Sequence, residues 1–172
     1  MDIGLWPILW TMCGLVTIVA SLLAGRSVRW RQVGRAATGV LFLIGGALMH
    51  VVTLATGGDY AGFADPALFP WVTDSWRAVV APNQLFFIGL LIVFEAAVGL
   101  LVISGGRRTQ LGYLGIIAFY LALWIFGPIE AVFVVVILVP MYLLLRAERL
   151  AEASHHASAG LEAKPRLPAH TG

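Results

Sequence analysis

Apolar runs long enough to cross a lipid bilayer dominate this chain, and they leave few folds open. Residues 5–24, 36–55, 85–103 and 111–145 consist almost entirely of aliphatic, aromatic and small side chains. About 20 helical residues span a hydrocarbon core of about 30 Å, and a backbone in that medium must satisfy its own hydrogen bonds, as a helix does. Charge offers no alternative reading. Only 12% of the residues are charged, about half the usual share of a water-soluble domain.

The run 111–145 is too long for one crossing. As a single helix it would extend roughly 50 Å, and it holds Gly127-Pro128 near its middle. A proline there removes a backbone donor and crowds the preceding turn. The run therefore divides into helices over 111–126 and 129–145, giving five transmembrane helices in an all-α polytopic bundle. Charge placement supports five. Arg26, Arg29, Arg31, Arg35, Arg107, Arg108, Arg146, Arg149, Lys164 and Arg166 then share one side, and Arg77 stands alone on the other. Lysine and arginine collect in short cytoplasmic loops, so the N-terminus is expected outside and the C-terminus in the cytoplasm. The first run opens Met1-Asp2-Ile3-Gly4, without the cationic start of a secretory signal, and is expected to persist as helix 1. The membrane domain is assigned to residues 1–152, and the Ser/Ala/Gly/Pro/His-rich residues 153–172 to a disordered cytoplasmic tail.

Residues 56–84 form the one substantial non-membrane segment and carry Tyr60, Phe63, Phe69, Trp71 and Trp76. Trp and Tyr favour the membrane interface, where the ring is buried and its polar edge stays wet. The segment is expected to lie on the bundle as a lid, or to act as an anchor that sets depth. Asp74 is expected to cap a short helix ending before Pro82, and Asn83 to cap the next.

An ionisable group inside a bilayer requires a partner or a water-filled cavity, and two stand out. Glu95 lies about ten residues into helix 3, and His50 five residues from the outer end of helix 2. Gly39, Leu43, Gly46 and His50 share one helical stripe, which turns His50 toward the bundle, and Glu95 shares a face with Gly99. In helix 4, Tyr113, Tyr120, Trp124 and Gly127 form another stripe. The candidate intramembrane polar site is therefore His50, Tyr120 and Glu130 in the outer half, with Glu95 about two turns deeper. A histidine beside a phenol and a carboxylate can hydrogen-bond a quinone carbonyl and pass its protons. The same groups can equally serve as hydrogen-bonded glue between helices, and Tyr120 and Trp124 as ordinary packing.

Other chemistries lack their residues. Cys13 is the one cysteine, so no thiol pair or thiolate-rich metal site forms within the chain. A bis-histidine haem needs a second intramembrane histidine, whereas His155, His156 and His170 all follow the last apolar run. No Walker A loop, dinucleotide fingerprint or nucleophile elbow occurs. The net charge of +2 is spread over loops rather than gathered in a patch that nucleic acid would need. Pro140 is read as a kink in helix 5.

The segment 35–146 resembles the DoxX-like family of small bacterial membrane proteins. The resemblance is carried by Gly45-Gly46-Ala47-Leu48-Met49-His50-Val51-Val52, Tyr60-Ala61-Gly62-Phe63, Pro82-Asn83-Gln84-Leu85-Phe86, Val93-Phe94-Glu95-Ala96-Ala97-Val98-Gly99, Gly105-Gly106-Arg107 and Leu143-Leu144-Leu145-Arg146. It implies a four-helix core plus one extra N-terminal helix, packed on its outside, in the bacterial cytoplasmic membrane. Family members include a membrane subunit associated with thiosulfate:quinone oxidoreduction, and others act in redox homeostasis beside soluble enzymes. The resemblance carries no catalytic motif onto this chain, and the missing cysteine pair argues against direct thiol chemistry. The function expected is an accessory subunit of a quinone-linked membrane redox system, with the lipid bilayer and a soluble or membrane redox protein as partners, no covalently bound cofactor, and quinone as the ligand. Whether such a chain is itself an enzyme stays open. A non-enzymatic membrane scaffold is the alternative, with a small-solute transporter behind it.

The orientation has a direct test. A reporter active only in the cytoplasm should give signal when fused after Gly172 and none when inserted at Gly58; the reverse pattern would overturn the assignment.

Overall fold

The computed structural model describes residues 5–162. Among them are five helices and no strand: α1 (Leu5–Leu23), α2 (Val28–Ala55), α3 (Pro70–Ile103), α4 (Gly106–Phe126) and α5 (Pro128–Glu162). Helices α2 to α5 are each long and apolar enough to cross a membrane, and α1 is shorter. Exposed Leu, Val, Ile and Phe side chains ring the outside of the bundle, the surface that hydrocarbon covers.

Local chemistry sets the helix ends. Ser27 starts α2 by accepting the Trp30 N–H on its Oγ at 3.4 Å, eight residues before the apolar run, so Arg29, Arg31 and Arg35 are helical. Pro70 occupies the first position of α3, where its missing N–H costs nothing. The expected caps do not form. Asp74 lies inside the helix, and the Asn83 amide donates to the Val79 carbonyl at 2.9 Å rather than capping. Segment 70–83 instead continues into the span through a π-helical turn, Trp76–Val80, and a 3-10 turn, Ala81–Asn83, where Pro82 lacks a donor.

The turn between α3 and α4 uses two glycines in the left-handed region, Gly105 (φ 87°) and Gly106 (φ 60°). Thr109 locks it, donating to the Val102 carbonyl and accepting the Gly105 N–H, both at 2.8 Å. Between α4 and α5 the tight Gly127-Pro128 turn divides the long apolar run. Helix α5 then continues past Pro140 to Glu162, ten residues beyond the boundary set by composition. The rest of the expected tail, 163–172, lies outside the described residues.

Helices α2, α3, α4 and α5 pack as successive neighbours, and α1 lies in the groove between α2 and α5. The α2–α3 seam alternates small against large: Gly39 faces Ile103, Leu43 faces Gly99 and Gly46 faces Glu95. Small residues let helices approach closely, which in hydrocarbon is the main source of attraction. Within α2, Leu41–Leu48 is π-helical, and the Gly45 carbonyl there accepts the Trp10 indole N–H at 3.0 Å. Thus α1, although peripheral, is pinned to the bundle at mid-height. Towards the arginine-bearing end, Arg35 and buried Glu148 form a two-pronged pair that joins α2 to α5.

Gly112 shows how tight the packing is, since a Cβ there would stand 2.8 Å from the Val102 backbone nitrogen. Gly112→Ala is expected to destabilise the bundle by about 1–3 kcal/mol, seen as a lowered melting temperature in detergent. Gly89→Ala, with no atom within 4 Å of the new methyl, should leave that temperature unchanged or raise it.

Candidate functional site

The α2 stripe that faces α3 ends at His50, and the loop leaving α2 turns back over it. The loop is held at several points. The Tyr60 N–H donates to Gln84 Oε1 at 3.1 Å, and the Tyr60 carbonyl accepts the Trp76 indole N–H at 2.8 Å. Thr73 Oγ1 donates to the Ala64 carbonyl at 2.8 Å, and the Leu68 N–H to the Ile125 carbonyl at 3.0 Å. Phe63, Trp76 and Phe126 pack with ring centroids 5.1–5.4 Å apart. This loop, with the start of α3, covers one end of the bundle.

Beneath it, three side chains form a line. Tyr60 Oη lies 2.6 Å from His50 Nδ1, and His50 Nε2 lies 3.5 Å from Glu95 Oε2. Burial, with the Glu95 carboxylate adding to it, pushes the Tyr60 phenol above its ordinary value. The phenol therefore keeps its proton at neutral pH and can donate it to Nδ1, leaving Nε2 on the side of Glu95, whose Oε2 is buried without a hydrogen-bond partner among the described residues.

Glu95 lies nearer His50 than helix counting implied. Its carboxyl group occupies the space above Gly46, where any Cβ would stand 2.7–2.9 Å from the carboxyl atoms. Gly46 is one turn from His50, about 6 Å along the axis, so a glutamate and an imidazole reaching toward each other span the interval. The two side chains meet across the expected difference in depth because each reaches along its helix and α2 and α3 approach closely.

These groups open onto a cavity of about 530 Å³ that all four sequence candidates, His50, Glu95, Tyr120 and Glu130, line. The rest of its wall is aromatic and aliphatic, including Trp10, Phe87, Phe119 and Phe126. Tyr120 is buried and packs edge-on against Phe42 and Phe119. Trp124, expected on the same stripe, is exposed and packs against Phe69, because the helix tightens to 3-10 over Trp124–Phe126 and shifts phase. Glu130 sits in the first turn of α5, favoured there by the helix dipole. Its Oε2 is buried and has no hydrogen-bond partner among the described residues.

Tyr60 and Trp10 were not among the sequence candidates for the polar site. Tyr60 was visible as one of a dense aromatic set ten residues after His50, but its pairing depends on the loop reversing. Nothing in the sequence of α1 signalled that Trp10 would reach the cavity. Among the described residues no cluster of three or more His, Cys, Asp or Glu side chains could hold a metal ion. No protein-family model, curated protein or solved structure matches the chain.

Tyr60→Phe removes the phenol proton from this line. It is expected to cost about 0.5–1.5 kcal/mol and to speed hydrogen exchange in loop 56–69 relative to the helix interiors. High pH should do the same to the unaltered protein. Because folding raises the phenol's value, its contribution is full below the unfolded value of about 10 and is lost as pH rises through the folded one. Loop exchange, corrected for intrinsic base catalysis, should accelerate there in wild type but not in Tyr60→Phe.

Proposed function

We propose that the chain is the quinone-binding accessory subunit of a membrane redox system, resident in a bacterial cytoplasmic membrane with its N-terminus outside. The observation that carries this reading is the convergence of a phenol–imidazole–carboxylate line and a second, unpartnered carboxylate on one aromatic-walled cavity inside a bundle of membrane helices. Helix packing brings Glu95 and His50 together across the α2–α3 seam. It does not account for the buried Oε2 atoms of Glu95 and Glu130, neither of which has a hydrogen-bond partner among the described residues, since an unpaired buried oxygen costs free energy without joining anything.

The chemistry follows from the groups present. Aromatic walls suit a flat apolar ring, and a few convergent polar groups orient it. Reduction of a quinone adds two electrons and two protons, forming two O–H bonds. In the proposed reaction His50 gives its Nε2 proton to one carbonyl oxygen as the Tyr60 phenol passes its own to Nδ1, the protonated carboxyl group of Glu130 gives the second proton to the other oxygen, and water from the loop side restores the protons of Tyr60 and Glu130. The electrons come from a partner redox protein, because one intramembrane histidine and one cysteine supply no haem or cluster ligand set. The resemblance of segment 35–146 to DoxX-like proteins supports the same assignment.

Gentle detergent purification followed by mass spectrometry of co-purifying lipids, quinones and proteins tests it. A quinone and a redox protein are expected with the wild-type chain. Glu130→Leu should keep the melting temperature and lower quinone occupancy about fivefold, the loss expected of one hydrogen bond donated by the protonated carboxyl group to a carbonyl oxygen. Unchanged occupancy in Glu130→Leu, or no quinone with the wild type, would favour a scaffold in which His50 and Glu95 serve packing alone.

A further inference from the structure

A second, smaller cavity of about 160 Å³ lies between α1 and α5. It shares two walls with the larger one, Trp10 and Phe133, whose rings meet edge-on with centroids 6.1 Å apart. A pair of rings is therefore all that the two cavities have between them at this point. Of the residues lining the larger cavity, Phe63 and Phe133 alone are exposed. Phe63 lies in the covering loop. Phe133 lies on the side of the bundle, facing the groove.

The groove suits hydrocarbon. Leu15 and Val136 form exposed apolar rims, and Ile18, Ile137 and Met141 line it further in. It contains no ionisable side chain, and its polar side-chain atoms are those of Thr11, which donates to the Pro7 carbonyl, of Trp10, whose indole N–H donates to the Gly45 carbonyl, and of Thr17, whose buried Oγ1 has no hydrogen-bond partner among the described residues. Gly14 keeps it hollow, for no heavy atom lies within 4 Å of where a Cβ would stand. The groove thus opens to the lipid side and ends at the one exposed wall of the polar cavity that lies among the helices.

We infer that the ligand is a ring compound bearing a long hydrocarbon tail, the ring in the polar cavity and the tail leaving past Phe133 along the groove between α1 and α5. This deepens the quinone-binding reading and rests on it. It also assigns a role to the added N-terminal helix, which forms one side of the tail groove and supplies Trp10 to the ring site. Lipid chains are as apolar as the groove, so the groove selects by shape and the gain over a tail-less ring is moderate. The other candidate occupant, the acyl chain of a bilayer lipid, predicts no dependence on the ligand's tail.

The test uses the full chain in detergent and two probes, a benzoquinone with a prenyl tail and the same ring with a methyl group in its place. Binding is read from quenching of tryptophan fluorescence, with concentrations expressed relative to detergent. The wild type should bind the tailed ring about tenfold more tightly. Gly14→Phe should abolish that preference and leave the tail-less ring unchanged; Val136→Trp, on the exposed rim, is the second variant should the first fail to fold. A preference that survives both fillings, or equal weakening of both probes, would overturn the inference. Failure of the tail-less ring to bind wild type would overturn the ring-site reading itself, and the tail groove with it.

Discussion

A carboxyl group within a membrane span must meet a partner, and the way Glu95 meets His50 organises much of the bundle. The meeting requires α2 and α3 to lie unusually close, which the absence of a side chain at Gly46 permits. The same closeness seats Gly39 under Ile103 and Gly99 under Leu43. Polar pairing and small-residue packing are thus one feature of this seam, because each sets the helix separation that the other needs. The π-helical stretch of α2 lies at the same level and presents the Gly45 carbonyl to Trp10. In this way α1 is attached to the helix that carries the polar line.

The covering loop belongs to the site as much as the helices do. Tyr60 is held by its backbone at both the N–H and the carbonyl, so its phenol reaches His50 as a fixed group. The helical turns before α3 are irregular where Trp76 and Pro82 occur. They place the indole of Trp76 both on the Tyr60 carbonyl and in the cavity wall. A lid and a depth anchor are therefore compatible descriptions of one segment, with the exposed Trp71 on its outer face and Tyr60 beneath.

The two ends of the bundle do different work. At the arginine-rich end, Arg35 and Glu148 tie α2 to α5, and Thr109 closes the α3–α4 turn. A buried ion pair of this kind offers little net stability but is costly to break by removing one member. The core between the ends is filled by Tyr113, Ile116, Met141 and Leu144. The bundle is thus closed at one end and hollow at the other, beneath the aromatic loop.

Hydrophobic run length and arginine placement made the helical bundle and its five elements legible in the sequence, because the cost of exposing backbone or charge to hydrocarbon acts locally along the chain. The stripe Gly39-Leu43-Gly46-His50 likewise showed its inward face, since helical period alone sets direction. Helix ends were less legible. Ser27, Pro70 and the glycines at 105 and 106 extended or opened helices beyond the apolar runs, and α5 continued to Glu162, because backbone capping is independent of hydropathy. Only the tertiary structure brought Tyr60 back onto His50, raised Glu95 to the imidazole and carried Trp10 into the cavity wall. Each of these joins residues from different elements, and their separation is decided by how closely helices approach and how a loop reverses, quantities that no period within a single helix contains.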